Sequence, residues 1–216
     1  MSLLICTPMY GGQCTQGYFN SCLTLKETLL QVGFDHDWLV TDKESLITRA
    51  RDTMAARFLR TKYERLLFID ADIEFTPEDV SKLWNLDVEV AVAAYSMKRL
   101  DHPLSAWRDG KLVEIGTETT PFPVDYAGTG FFMIKRSALE KLKDHPKIPA
   151  YMEGNMATID GKVETMGKCW GFFQDPIEDD IHLSEDYFFC KRWREVGGQI
   201  LMDPTIRLGH WGNIKY

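Results

Sequence analysis

Two carboxylates, separated by one residue, follow an unbroken apolar run in the first half of the chain. The run covers residues 66–69, and the carboxylates are Asp70 and Asp72. Such a run is typical of a short strand buried on both faces, as in a parallel sheet. Ligands bind at the carboxyl ends of these strands, and a hard divalent cation takes one or two carboxylates together with substrate phosphates. The spacing therefore indicates a metal–diphosphate site, although an acidic turn after a strand has the same pattern.

A second acidic pair, Glu185 and Asp186, follows Ser184 at the predicted start of a helix over residues 185–196. Acidic residues at a helix N-terminus are stabilised by the helix dipole, so capping alone explains them. The chemical alternative is a general base that takes a proton from the hydroxyl group of an acceptor.

Three further clusters could contribute to a site. His210 lies in a glycine-flanked loop, where it is either a hydrogen-bonded structural residue or a ligand of a borderline cation such as Mn²⁺. The glycines of residues 128–130 either let a backbone approach a ligand or turn the chain into the next strand. Arg49 and Asp52 share a helix face, where they form either a surface ion pair or contacts to a nucleotide.

The composition limits the class of protein. The chain has 216 residues, 44% of them hydrophobic and 26% charged, which is typical of a globular protein and most simply of one domain. A net charge of -7 disfavours a nucleic-acid partner. Five cysteines without a C-x-x-C arrangement argue against a zinc knuckle or a disulfide framework. Without a signal-peptide pattern or an apolar run of the ~18 residues that a membrane span needs, we expect a soluble cytoplasmic protein with no membrane span, or a piece of a longer chain.

The remaining sequence alternates between two kinds of segment, and this alternation predicts how the acids are positioned. Strands are predicted at residues 3–6, 34–40, 66–69 and 88–94, with helices between them at 18–32, at 46–59 and from Thr76 onward. This order is typical of a parallel α/β sheet. Later segments predict a hairpin about the Asp-Gly pair at 109–110, a buried strand at 131–134, a short helix capped by Ser137, and a last strand at 199–202.

Residues 147–180 mix glycines, prolines, aromatic residues and acids without a period, so we expect a long irregular segment. Sugar faces stack on aromatic rings, and carboxylates accept hydrogen bonds from hydroxyl groups. We therefore predict acceptor recognition in this segment, by Trp170, Phe172, Phe173, Asp175 and Glu178. A surface loop without a binding function would have the same composition.

Taken in order, these motifs resemble the GT-A nucleotide-sugar glycosyltransferases, especially the inverting, family-2-like members and virus-encoded enzymes that build capsid glycans. The resemblance runs from about residue 3 to residue 212, and its segments are Thr7-Pro8, Arg49-Ala50-Arg51-Asp52, Phe68-Ile69-Asp70-Ala71-Asp72, Gly128-Thr129-Gly130-Phe131, Ser184-Glu185-Asp186-Tyr187-Phe188-Phe189-Cys190-Lys191-Arg192, and Asp203-Pro204 running into Gly209-His210. It implies one Rossmann-like α/β domain over residues 1–216, with a mostly parallel central sheet flanked by helices and a small antiparallel hairpin region. Residues up to about 100 would bind the nucleotide sugar, and the rest would serve the acceptor and catalysis.

The resemblance also implies roles for single residues. Mn²⁺ or Mg²⁺ would be held by Asp70, Asp72 and His210. Asp186 corresponds to the catalytic base, and Glu185 to its neighbour that contacts the acceptor. The nucleotide sugar would be contacted by Thr7, Pro8, Tyr10, Arg49, Asp52, Asp70 and Ala71. Asp52 stands where such enzymes often carry Asn, which makes its nucleotide contact the weakest part of the match.

The implied reaction is a metal-dependent inverting transfer from a UDP-sugar, such as UDP-L-rhamnose or UDP-glucose, to a hydroxyl group of an oligosaccharide or a glycoprotein glycan. UDP is favoured as the commonest donor nucleotide of such families. Alternatives are a pyrophosphorylase-like nucleotidyltransferase, which would carry a longer basic loop than residues 7–12, and a haloacid-dehalogenase-type phosphatase, which would need Thr or Val at Glu74. A non-catalytic nucleotide-sugar or glycan binder would have the same fold.

Overall fold

The computed structural model of the chain describes residues 1–99, 103–114, 116, 118–159, 162–212 and 214–216. The elements of the first half alternate as the sequence predicts. They are β1 (Ser2–Pro8), a short 3₁₀ helix (Tyr10–Gly12), α1 (Gln16–Gln31), β2 (Asp35–Thr41), α2 (Ile47–Leu59), β3 (Arg65–Ile69), β4 (Ile73–Glu74), α3 (Pro77–Asn85) and β5 (Val90–Val92). Thr76 caps α3 with a capping box, which confirms the predicted start of that helix.

The second half has more strands than helices. Its elements are β6 (Ala106–Arg108), β7 (Lys111–Leu112), β8 (Phe122–Val124), β9 (Tyr126–Ala127), β10 (Phe131–Lys135), α4 (Arg136–Leu142), β11 (Ala150–Ile159), β12 (Lys162–Trp170), β13 (Ile177–Glu178), β14 (Ile181–His182), α5 (Glu185–Glu195), β15 (Ile200–Met202) and β16 (Gly209–His210). The hairpin β6–β7 turns at Asp109 and Gly110, both with positive φ, as an Asp-Gly turn requires. Among the residues described, no helix combines the length and the apolar character that a membrane crossing needs.

Strands from both halves of the chain form the central sheet. In the part of the chain that the structure describes, its seven strands lie in the order β2-β1-β3-β10-β5-β15-β8. The strands β2, β1, β3, β5 and β15 run in one direction, while β10 and β8 run against it. The predicted α/β class with a mostly parallel sheet is confirmed, and the two antiparallel strands make the sheet mixed.

Both faces of the sheet are covered by helices. Every residue of β3 is buried, as its unbroken apolar run predicts. Leu66 and Phe68 face a core shared with α2, α4 and α5, while Leu67 and Ile69 face a second core shared with α1 and α3. Since successive side chains of a strand point to opposite faces, a strand covered on both sides must be apolar throughout. The first polar side chain after β3 therefore lies at the sheet edge.

Two predicted features of the second half are wrong. Residues 147–180 are not an irregular segment, because β11 and β12 pair as a long antiparallel hairpin and β13 pairs with β14. The strands of the long hairpin mix apolar, charged and glycine residues without a regular order, so the apolar alternation that indicates a strand is missing from the sequence. Ser137 does not cap α4 either. That helix begins at Arg136, whose guanidinium donates hydrogen bonds to backbone carbonyls around the end of α2.

Candidate functional site

The loop after β3 is fixed through its backbone, which leaves its acidic side chains free for other contacts. The Asp70 N–H donates to the carbonyl of Gly130 at 3.0 Å, and the carbonyl of Ala71 accepts from the Thr15 N–H at 2.9 Å. The carbonyl of Asp72 accepts from the Trp211 N–H at 2.8 Å. Segments far apart in the sequence thus hold the loop at the carboxyl end of β3, where the sequence predicts a site.

The Asp72 carboxylate lies between two basic side chains. Lys98 Nζ is 2.5 Å and His210 Nε2 is 3.5 Å from the same oxygen, Oδ2. Burial acts to raise the pKa of Asp72, but the hydrogen bonds from His210 and Lys98 outweigh it and hold the pKa below its usual range. The Asp72 side chain is therefore ionised at neutral pH.

His210 has the arrangement of a metal-ligating histidine. Its Nδ1 is 2.7 Å from the backbone carbonyl of Ser96, which can only accept a hydrogen bond, so Nδ1 carries the proton. Nε2, the nitrogen that faces Asp72, donates a hydrogen bond to that carboxylate when the ring is charged, and in the neutral ring it carries the lone pair that a metal ion would take. A backbone carbonyl that orients the ring in this way is the usual second partner of a histidine ligand.

A buried arginine connects the two acidic pairs. Arg51 Nη2 donates to Asp70 Oδ1 at 2.9 Å, and Arg51 Nε lies 3.6 Å from Glu185 Oε1. The Arg51 side chain is only 3% exposed, and its Nε and Nη1 make no hydrogen bond in the described structure. Buried donors are normally paired, so the unmet hydrogen-bonding capacity of Arg51 at the edge of a cavity marks this residue as part of the site.

Asp70, Asp72 and Glu185 border a cavity of about 560 Å³, here called the first cavity. Its lining includes the predicted residues Pro8, Tyr10, Asp70, Ala71, Asp72 and Glu185, together with Met9, Gln13, Cys14, Thr15, Ile47 and Arg51. The sequence-based hypothesis requires the acids after β3 and the acids at the start of α5 to share a cavity, and the structure brings them together.

A second cavity of about 390 Å³ adjoins the first. It is lined by Tyr95, Met97, Lys98, Ser105, Gly128, Ser184, Asp186, Tyr187 and His210. Lys98 and His210 contact Asp72 of the first cavity, and Asp186 follows Glu185 directly in the chain. The two cavities therefore meet at both acidic pairs.

Asp186 has the opposite electrostatic setting to Asp72. Burial, reinforced by the neighbouring charge of Glu185, raises the pKa of Asp186 to about 6. Its Oδ1 accepts hydrogen bonds from the Ser184 hydroxyl group and, at 2.8 Å, from the Tyr187 N–H. A carboxyl group whose pKa lies near the working pH is suited to proton transfer.

Three predicted nucleotide contacts do not line either cavity. Thr7 is fully buried against the Tyr18 hydroxyl group, and Arg49 is paired with Glu44. Asp52 is 1% exposed and accepts hydrogen bonds from the Phe173 N–H at 2.8 Å and from Gln174 Nε2 at 2.6 Å. Arg49 and Asp52 therefore do not form an ion pair with each other, and Asp52 is too buried to contact a nucleotide. A nucleotide contact by Arg49 stays a prediction. Burial raises the pKa of Asp52 to about 8.

The aromatic residues predicted to recognise an acceptor are not free to stack on sugars. Phe172 and Phe173 are fully buried, and Phe173 stacks on Phe189 with ring centroids 5.0 Å apart. Trp170 lies against Phe172, and Glu178 is held by Lys191 and Arg192. Asp175 is exposed but lines neither cavity described above. Phe172 and Phe173 are therefore too buried to contact an acceptor, and acceptor recognition by other residues of 147–180 stays a prediction.

Sequence reasoning missed three residues of the site: Arg51, Tyr95 and Lys98. A signal was available for Arg51, which lies on the same helical face as the buried residues Met54, Ala55 and Phe58, at a spacing of three, four and seven. A charged residue on a buried face indicates a specific partner.

No comparable signal marks Tyr95 or Lys98, since each follows a strand in an irregular segment. Tyr95 explains the two nearby glycines. A Cβ atom at Gly128 or Gly130 would lie within 3 Å of the Tyr95 ring or hydroxyl group, and the ring packs edge-on against His210.

The fit to a divalent cation is partial. Within the described residues, no group of three or more His, Cys, Asp or Glu side chains could hold a metal ion. Asp70 faces Arg51, so of the three predicted ligands only Asp72 and His210 face each other. A carboxylate and an imidazole whose other nitrogen is already bonded suit Mn²⁺ or Mg²⁺ when phosphate oxygens complete the coordination.

Comparison with solved structures agrees with this architecture. The chain is similar to A197 from STIV (TM-score 0.59, 18% identity, 98% of this chain and 86% of that chain). It is also similar to GalNAc-T7, solved with UDP, GalNAc and Mn²⁺ (TM-score 0.54, 13% identity, 97% of this chain and 43% of that chain). A third is the catalytic domain of Drosophila beta1,4galactosyltransferase 7 in complex with xylobiose (TM-score 0.51, 10% identity, 95% of this chain and 66% of that chain). The TM-scores show that the chain shares the fold of these proteins, that of the GT-A glycosyltransferases.

The sequence itself matches a family model. No curated protein sequence gives a significant match. The model of glycosyl transferase family 8 matches residues 39–188, which is more than half of the chain and includes both acidic pairs. The motifs had indicated family-2-like members, whereas the matching family is family 8. The chain belongs to glycosyl transferase family 8, and it is a nucleotide-sugar glycosyltransferase.

Proposed function

We propose that this enzyme transfers a sugar from a UDP-sugar to a glycan hydroxyl group with a divalent cation, and that it inverts the anomeric centre. One observation carries the proposal. The Asp70–Asp72 pair and the Glu185–Asp186 pair border adjoining cavities and are joined by the Arg51 side chain. One donor molecule placed along Asp70 and Asp72 would therefore present its sugar to Asp186.

The first cavity suits the nucleotide and its diphosphate. Pro8 and Tyr10, the latter 71% exposed, offer flat apolar surface to a base. Asp72 and His210 would hold Mn²⁺ or Mg²⁺, which when bound neutralises the charge that develops on the leaving diphosphate. Arg51, which lines this cavity between Asp70 and Glu185, would place a positive charge beside the donor. GalNAc-T7, which shares the fold, was solved with UDP and Mn²⁺, and this supports the choice of nucleotide and ion.

The second cavity suits the acceptor. Asp186 would take the proton from the acceptor hydroxyl group as that oxygen forms a bond to the anomeric carbon. The bond from this carbon to the diphosphate breaks in the same step, through an oxocarbenium-like transition state, and the nucleoside diphosphate leaves. Burial, together with the Glu185 carboxylate, keeps the Asp186 pKa high, and the hydrogen bond from the Tyr187 N–H fixes the orientation of Asp186.

The stereochemical outcome is the most specific statement in this proposal. Members of family 8 usually retain the anomeric configuration. The proposal of inversion comes from the position of Asp186, a carboxyl group with a raised pKa that borders the second cavity and not the first. Proton NMR of the first product formed shows the configuration directly through the coupling constant of its anomeric proton. A retained configuration would contradict the role of Asp186 as a base in a single displacement.

A second candidate differs in the source of positive charge. Lys98 Nζ is 2.5 Å from Asp72, where a metal ion would also lie. A lysine in this position could neutralise the diphosphate without a cation, as lysines do in other phosphate sites. Transfer that survives EDTA but is lost in Lys98→Met would favour this candidate, whereas loss with EDTA and recovery with Mn²⁺ would favour the metal-dependent reaction.

The test of the proposed function is a donor screen. UDP-, GDP- and dTDP-sugars, including UDP-L-rhamnose and UDP-glucose, are incubated with the enzyme, with Mn²⁺ or with EDTA, and release of the nucleoside diphosphate is measured. We expect release from a UDP-sugar that depends on Mn²⁺ and rises when a glycan acceptor is added. Release that is equal in wild type and Asp186→Asn, with and without acceptor, would contradict the proposal. A role in building viral capsid glycans stays a prediction from the sequence motifs.

A further inference from the structure

Glu74 lies two residues after Asp72 and binds two groups from the end of the chain. Its Oε2 accepts a hydrogen bond from Trp211 Nε1 at 2.7 Å, and its Oε1 accepts one from Lys215 Nζ at 2.8 Å. Both carboxylate oxygens are thus engaged by one segment. Glu74 lines neither the first nor the second cavity, so it has no direct part in the site described above.

The segment that Glu74 holds also carries His210. We call residues 209–212 and 214–216 the C-terminal hairpin, because the His210 N–H donates to the carbonyl of Tyr216 at 3.2 Å and the Tyr216 N–H donates to that of His210 at 2.9 Å. Through β16, the hairpin pairs with β4, with His210 opposite Ile73. The hairpin therefore places His210 beside the loop that carries Asp72.

The packing around Glu74 is built for this contact. A Cβ atom at Gly17 would collide with Trp211 Nε1 and would lie 2.7 Å from Glu74 Oε2, so only glycine at this position of α1 leaves room for the hydrogen bond. At Gly209, a Cβ atom would lie 2.5 Å from the Lys215 side chain and 3.3 Å from that of Glu74. Two glycines from different elements thus leave space for one carboxylate and its partners.

We propose that Glu74 is a positioning residue, which fixes His210 next to Asp72 by holding the C-terminal hairpin against β4. This inference rests on the proposed function, since it assigns Glu74 to the site that would bind the divalent cation. The competing explanation is a solvent-exposed ion pair, for which the exposure of Lys215 (48%) and Glu74 (35%) would be sufficient. The two explanations differ in what Trp211 does. If only the ion pair mattered, loss of the Trp211 N–H would have no effect. In the positioning role, the hydrogen bond from the Trp211 indole is the less exposed of the two contacts that hold the hairpin to Glu74.

The experiment measures binding of Mn²⁺ to the full chain in the presence of UDP, by electron paramagnetic resonance of free Mn²⁺. The variants are Glu74→Ala, Trp211→Phe and Lys215→Met, and Glu78→Gln is the control, because Glu78 is an exposed acid whose nearest basic partner, Lys82, is 3.9 Å away. Residues that orient a metal ligand typically change metal affinity 10- to 100-fold. We expect a loss in this range for Glu74→Ala, a smaller loss for Trp211→Phe, and no change for Glu78→Gln.

Trp211→Phe decides between positioning and charge, because it removes one N–H donor and leaves the net charge unchanged. If Mn²⁺ affinity falls in Glu74→Ala but not in Trp211→Phe, Glu74 acts through its charge and the inference is overturned. Hydrogen exchange of residues 209–212 gives a readout that does not depend on metal. We expect faster exchange in Glu74→Ala and Trp211→Phe, at an unfolding temperature close to that of the wild type, and unchanged exchange would overturn the inference.

The same data separate this inference from the proposed function. If the wild type binds Mn²⁺ with UDP and Asp72→Ala does not, the proposed metal site stands whatever the Glu74 variants do. If the wild type binds no Mn²⁺, both proposals fail together.

Discussion

The two acidic pairs of this enzyme consist of the same type of side chain, but their electrostatic surroundings are opposite. Asp72 is partly buried but is hydrogen-bonded by His210 and Lys98, and its pKa is held below the usual range. Asp186 is also partly buried, but its strongest charged neighbour is the acid Glu185, and its pKa rises to about 6. Neighbouring acids whose surroundings push their pKa values apart are suited to different tasks. An acid with a low pKa stays charged for a cation, and an acid with a raised pKa can exchange a proton.

The difference arises from where each pair lies in the fold. Asp70 and Asp72 follow a central strand, so the segments that carry Thr15, Lys98 and His210 all reach them. Glu185 and Asp186 are consecutive residues in the first turn of α5, so the Glu185 carboxylate adds to the cost of ionising the buried Asp186. Arg51 offsets part of this cost from the opposite side. Spacing alone would not have distinguished the two pairs.

The largest effect that we expect is on the Asp72 side. Asp72→Ala should abolish Mn²⁺-dependent binding of UDP and leave the fold intact, because the carboxylate is lost from a surface-connected loop whose backbone contacts remain. Calorimetric titration of UDP with and without Mn²⁺ measures this, with Glu78→Gln as a control. Undiminished metal-dependent binding of UDP by Asp72→Ala would show that Asp72 does not bind the cation.

The next effect is on the Asp186 side. Asp186→Asn removes the proposed base but keeps an oxygen atom for the Tyr187 N–H, so kcat should fall by about 10²- to 10⁴-fold while the Kd for UDP stays the same. Steady-state kinetics and calorimetry on the same preparation measure both quantities. If binding of UDP falls instead of kcat, the two pairs do not have separate tasks.

A smaller effect concerns pH. Because the base must be ionised, kcat/KM should rise about tenfold per pH unit below a pKa of about 6 and level off above it. Asp186 should also affect stability, since a raised pKa means that the folded state binds the proton more tightly than the unfolded state. The contribution of Asp186 to the free energy of unfolding should therefore fall as the pH rises from about 4 to 6.

Asp186→Asn abolishes this contribution to the pH dependence of stability. At pH 7 the variant should be more stable than the wild type by about 1 to 2 kcal/mol, less than the full value of the pKa shift because solvent screens the group in part. Urea unfolding of both proteins at pH 4.5 and pH 7 checks the sign. If the free energy of unfolding of the wild type rises from pH 4.5 to pH 7 relative to that of Asp186→Asn, the pKa of Asp186 is not raised.

The smallest effect concerns Asp52, which the motifs assign to the nucleotide and the structure assigns to the Phe173 N–H and Gln174. Asp52→Ala leaves a buried N–H without a partner and should cost about 1–3 kcal/mol of stability. Asp52→Asn should cost less, because its amide oxygen can accept from Phe173 and the Gln174 amide can reverse. Neither variant should change the Kd for UDP. Weaker binding of UDP by folded Asp52→Asn would support the sequence-based assignment of Asp52 to the nucleotide.

Much of the fold and part of the site follow from the sequence. The apolar run of β3, the capping box at Thr76 and the Asp-Gly turn at 109–110 act locally, so short patterns predict them. The sequence predicts roles for Asp72 and Asp186 because strand ends and helix starts are where such residues serve as ligands and bases.

The missing part depends on contacts between distant segments. Whether Arg49 or Arg51 faces the cavity is decided by how α2 packs on the sheet. The burial of Asp52 and Phe173 depends on the β11–β12 hairpin, whose strands mix apolar and polar residues without alternation. Lys98 reaches Asp72 from 26 residues away.

The central claim is that Asp72 and His210 hold a cation on the diphosphate of the donor while Asp186 remains free for the acceptor. Diffraction from crystals of the complex with UDP and Mn²⁺, recorded near the manganese absorption edge, tests it most directly. The account predicts an anomalous peak between Asp72, His210 and the diphosphate, with Lys98 moved away from Asp72. Bound UDP without such a peak, and with Lys98 still against Asp72, would contradict it.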